Sequence, residues 1–66
     1  MNEIAESHGF VIVTYGACAG DTYKHATKGN QLKIINCKNF FRLSVNGQSL
    51  SGKLSELDHV LTSNGF

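Results

Sequence analysis

The chain has no proline and no tryptophan, and only 17% of its residues are charged. Without proline, low-complexity tracts or repeats, nothing marks a linker or a second domain. The 66 residues therefore read as one small domain spanning 1–66. Long hydrophobic runs are missing too. The longest, Phe10 to Val13, is far short of the roughly 20 apolar residues that cross a bilayer. The first eight residues hold Glu3 and Glu6 and no basic residue, which is not how a secretory leader begins.

Cysteine is scarce. Cys18 and Cys37 are too few and too far apart to read as a disulfide framework, so the expectation is two free thiols in a reducing cytoplasm. A single Cys18–Cys37 bridge is the alternative. Catalytic signatures are also lacking: there is no G-x-S-x-G, no Walker loop and no H-E-x-x-H. Gly16 to Gly20 is bracketed by glycines, but a strand pattern follows it where a phosphate loop needs a helix. Cys18 with His8, His25 or His59 lacks the third group that would orient a nucleophile and base. The cysteine and histidine spacings match no local zinc pattern. The chain reads as non-enzymatic, with no cofactor and no metal.

The charge that is present lies in one stretch. All six basic residues fall between Lys24 and Lys53, and Asp21 is the one acid from 21 to 53. Glu3, Glu6, Glu56 and Asp58 flank that stretch. A net charge of +1 thus conceals a basic middle, which suggests an anionic partner. Lysines on a solvated sheet face, discouraging edge pairing, are the ordinary alternative.

The apolar pattern alternates through most of the chain. Phe10 to Tyr15 is β-branched and aromatic throughout and reads as a strand at the sheet centre or buried on both faces. Thr22 to Thr27 alternates Tyr23, His25 and Thr27 against Thr22, Lys24 and Ala26. Lys28 to Gln31 is a turn, Leu32 to Asn36 a third strand, and Phe40 to Val45 a fourth with Phe41, Leu43 and Val45 inward. Asn46-Gly47 is a strong two-residue hairpin signal, so Gln48 to Leu50 reads as a short fifth strand. Leu54, Leu57, Val60 and Leu61 then recur at helical spacing, with Ser51 or Ser55 as candidate caps and Asn64-Gly65 as the stop. Residues 1–8 read as a frayed helical turn or a loose arm.

The expected fold is α+β: an antiparallel β-meander of four to five short strands with one C-terminal helix packed on one face. The other face is left open, carrying Lys33, Ile35, Phe40 and Arg42 with Lys24 adjoining. A domain this small cannot hide every apolar side chain behind one short helix. An aromatic- and arginine-bearing face suits a partner. The expected function is a small cytoplasmic regulator or inhibitor that docks on a larger protein through that face. The alternatives are a nucleic-acid-binding module using the same basic residues, and a homodimer. Small regulators and antitoxins of phages and plasmids share this size and element order, a likeness too general to carry argument.

Overall fold

The turn at Asn46-Gly47 sets the register of the C-terminal half. Both residues have positive φ, +51° and +78°, as a two-residue hairpin loop requires, and Val45 pairs directly with Gln48. In the computed structural model, which describes residues 2–66, this hairpin is the end of a five-stranded antiparallel sheet. The elements are α1 (Glu3–Ser7), β1 (Phe10–Thr14), β2 (Asp21–His25), β3 (Gln31–Ile35), β4 (Phe40–Val45), β5 (Gln48–Lys53) and α2 (Leu57–Ser63). Short 3-10 turns stand at Ala17–Ala19, Asn36–Lys38 and Leu54–Glu56. Strand order follows chain order from β1 to β5, a simple meander, and the C-terminal helix packs against one face. The fold is α+β, as the alternation and the final helical stripe indicate.

One face of the sheet makes the core. Phe10, Tyr23, Leu32, Ile34, Phe41 and Leu43 are buried there beneath Leu57 and Leu61 of α2 and Ala5 of α1. Fully burying each large side chain is worth roughly 1.5–3 kcal/mol. Gly52 lies opposite Phe41, and a Cβ there would stand 3.3 Å from the Phe41 ring, so the missing side chain makes room for it. The Tyr23 hydroxyl accepts the Asn2 N–H at 2.8 Å, which satisfies a buried phenol and anchors the start of α1. Asn2 caps that helix, its Oδ1 accepting the N–H groups of Ile4 and Ala5. Residues 3–7 thus form a short helix seated on the core through Ala5.

Several local expectations are corrected. β1 is an edge strand, not a central one, and Val11, Val13 and Tyr15 are 52%, 58% and 67% exposed. In a meander the first strand has only one sequence neighbour to pair with, however apolar it is. β2 ends at His25, two residues early, because the His25 Nδ1 accepts the N–H groups of Thr27 and Lys28 and turns the chain. β5 runs on to Lys53. Neither Ser51 nor Ser55 caps the last helical segment; Glu56 Oε1 accepts the Lys53 N–H at 3.2 Å instead. At its C-terminal end Gly65 takes φ +87° and the Phe66 N–H donates to Leu61 at 2.9 Å, the αL stop expected of Asn64-Gly65. Phe66 folds back onto Phe10 and His25, with ring centroids 5.2 Å from each.

The thiols expected to be free are joined. Cys18 and Cys37 form a disulfide with Cα atoms 5.4 Å apart, tying the 3-10 turn before β2 to the one after β3. A sequence separation of 19 residues hid this proximity, which arises because β2 and β3 are hydrogen-bonded neighbours.

The N-terminal helix is also tied to α2 by charge. His8 Nε2 lies 2.6 Å from Asp58 Oδ1. The Asp58 hydrogen bond, helped by the backbone of Phe66, holds the His8 pKa above its usual 6.5. A histidine with a raised folded-state pKa stabilises the fold below its unfolded pKa, and that contribution disappears as pH rises through the raised value. Urea midpoints of the wild type are therefore expected to fall between about pH 6 and pH 8.5 relative to those of His8→Gln. Parallel profiles for the two proteins would show that the pair contributes nothing.

Candidate functional site

The helix-free face of the sheet can be read as a grid, because antiparallel register puts paired residues on the same face. One row runs Val11, Lys24, Gln31, Ser44 and Ser49 across the five strands. The next runs Thr22, Lys33, Arg42 and Ser51 from β2 to β5. A third holds Ile35, Phe40 and Lys53. With strands about 4.8 Å apart and alternate residues about 6.8 Å apart, Lys24, Lys33, Arg42 and Lys53 form an oblique band about 20 Å long.

No acid neutralises the band among the described residues. Asp21 faces the other way, pairing with core Ile34, and its Oδ1 accepts the Gly16 N–H at 3.0 Å. Glu56 is bound to the Lys53 backbone on the helix side. The one side-chain ion pair among the described residues, His8–Asp58, lies on the helical side. Between the bases runs a depression of about 230 Å³, lined by Thr22, Gln31, Leu32, Lys33, Arg42, Ser44 and Ser49. Apart from Leu32 these side chains are polar: three carry hydroxyls, one an amide and two a positive charge.

The residues expected to act together fare differently. Register places Lys24, Lys33 and Arg42 on this face, all exposed, with Phe40 half-buried at its margin. Ile35 is on the same face but is only 8% exposed. The chain around Gly20 comes down beside it, so close that a Cβ on Gly20 would stand 2.7 Å from the Ile35 side chain. Ile35 is thus withdrawn from the surface, and the apolar patch expected beside Arg42 shrinks to Phe40. Sequence reading missed Lys53 and the hydroxyls of Thr22, Ser44 and Ser49. The signal for Lys53 was available, because the two-residue turn at Asn46-Gly47 sets a register in which Lys53 must face Phe40.

The other candidates have structural partners. Cys18 is held in the disulfide, so in this state it is no thiolate nucleophile. His8 pairs with Asp58, and His25 packs edge-on against Phe10 at 5.0 Å between centroids. Among the described residues no three of His, Cys, Asp and Glu come together as metal ligands would. No helix of the described residues is long and apolar enough to cross a membrane. No protein-family model, curated protein or solved structure matches this chain.

Proposed function

We propose that this chain is a small non-enzymatic binding module, a regulator or inhibitor that docks on a larger protein through the helix-free face of its sheet. The observation that carries the reading is the acid-free face itself, where Lys24, Lys33, Arg42 and Lys53 stand together on a five-stranded frame. A partner surface rich in carboxylates or other anions is its electrostatic complement. Arg42 is the charge partner and Phe40 the ring that can bury on docking, the residue types that dominate interface energetics.

Phe40→Ala is expected to weaken the complex by more than about 1 kcal/mol while leaving the protein folded, with a lowered unfolding midpoint because the ring is partly buried. Arg42→Glu should weaken it further. Capture of a partner from native lysate with and without nuclease, then titration of wild type and variants against it, tests both. Loss of the partner on nuclease treatment would transfer the face to the second reading, a nucleic-acid surface. The same four cations favour that reading, and it requires affinity to fall steeply with salt. Against it, Phe40 is the one aromatic residue in the three rows, too few for a stacking platform.

A homodimer is the third reading, resting on the exposed edge residues Val11, Val13 and Tyr15, and sizing by light scattering decides it. The cytoplasmic location expected from free thiols loses its support with the bridge; a compartment that keeps Cys18–Cys37 oxidised suits this fold better.

A further inference from the structure

Within the cationic band one position stands apart. Lys33 and Arg42 are directly opposite each other across β3 and β4. Like charges so placed destabilise strand pairing, and an opposite-charge pair would have stabilised it. Neither cation has a carboxylate partner among the described residues. The two therefore present two positive charges, uncompensated by the protein, to one polar depression.

The lining states what would compensate them. Arg42 presents a planar fork of donors and Lys33 a rotatable ammonium, both without acceptor capacity. Thr22, Ser44 and Ser49 add hydroxyls, and Gln31 adds an amide that can donate. No carboxylate lines the depression to repel an anion. A carboxylate or a phosphodiester brings a single negative charge and would leave one cation unmatched. A phosphomonoester brings up to two charges at neutral pH and three strong acceptor oxygens, which matches both the charge and the donor set.

We propose that the depression between Lys33 and Arg42 is a binding site for a phosphomonoester dianion. The inference rests on the docking reading only for what carries the phosphate, namely a phosphorylated side chain of the partner. The site itself is testable with small molecules.

The experiment is a titration of isotope-labelled protein followed by amide chemical shifts. The probes are inorganic phosphate and O-phosphoserine, with dimethyl phosphate, acetate and sodium chloride at matched ionic strength as comparisons, at pH 5.0 and 7.5. Saturable shifts clustered at Thr22, Lys33, Arg42 and Ser44 are expected with phosphate and O-phosphoserine alone. Affinity should be at least fivefold higher at pH 7.5, because the second phosphate proton is lost near pH 6. Lys33→Gln and Arg42→Gln should each weaken binding at least fivefold, and Lys38→Gln, in the exposed turn after β3 and outside the depression, less than twofold.

The two Gln variants also carry a readout that needs no ligand. Each removes the repulsion, so each should unfold at the wild-type urea concentration or slightly above it. Equal shifts with sodium chloride, equal binding of dimethyl phosphate, or affinity independent of pH would each overturn the proposal. Such an outcome would leave docking on an acidic protein surface standing, since that needs no phosphate.

Discussion

Phe41→Ala is expected to leave little folded protein at 25 °C. Phe41 is fully buried at the middle of β4, its ring filling the space left by Gly52 on β5. Truncating such a ring costs about 3–5 kcal/mol, the transfer term and the cavity acting together. A domain of this size has roughly 3–10 kcal/mol of total stability, and small domains sit toward the lower end. The two magnitudes are comparable, so one substitution can remove most of the margin. Urea unfolding followed by far-UV circular dichroism checks it. Phe41→Leu, which keeps most of the volume, should remain folded with a lowered midpoint. If Phe41→Ala unfolds cooperatively near the wild-type midpoint, the core beneath α2 does not hold the fold together.

Loss of the Cys18–Cys37 bridge is the second large effect. Closing a loop of 19 residues restricts the unfolded chain by about 3 kcal/mol in the chain-entropy account. Both cysteines are exposed, so a mild reductant reaches the bridge without prior unfolding. Reduced protein and Cys18→Ser/Cys37→Ser are expected to unfold at clearly lower urea, with the gap close to that 3 kcal/mol. Reduction also frees the turn at Ala17–Ala19 from the turn at Asn36–Lys38. Gly20 and Ile35 amides should then exchange hydrogen faster than those of Leu43, far from the bridge. Equal midpoints with and without reductant would mean that strand pairing alone holds the two turns together.

Much of the fold was legible because local chemistry and global arrangement agree. Phe41, Leu43 and Val45 alternate with Phe40, Arg42 and Ser44, and a strand with one buried face can take only the register that puts the first set inside. Asn46-Gly47 imposes its own hairpin geometry whatever surrounds it. Leu54, Leu57 and Leu61, at steps of three and four, share one side of a helix but would fall on opposite faces of a strand. Other features were not legible because they depend on which strand neighbours which. Phe10 to Thr14 has the composition of a central strand, yet its place in the meander leaves it at the edge. Cys18 and Cys37 meet because β2 and β3 pair, and neither cysteine's neighbours in sequence announce that.

The candidate site divides along the same line. By itself the sequence determined that the basic residues lie in one stretch, that the fold is a meander with a terminal helix, and that Lys33, Phe40 and Arg42 point away from the helix, because alternation is a local property of an extended backbone. Only the tertiary structure decided that Lys33 faces Arg42, that Thr22, Ser44 and Ser49 line the depression with them, and that Ile35 is covered by the chain at Gly20. Those are relations across strands, and they exist only once hydrogen-bonded register has brought distant residues within about 5 Å of one another.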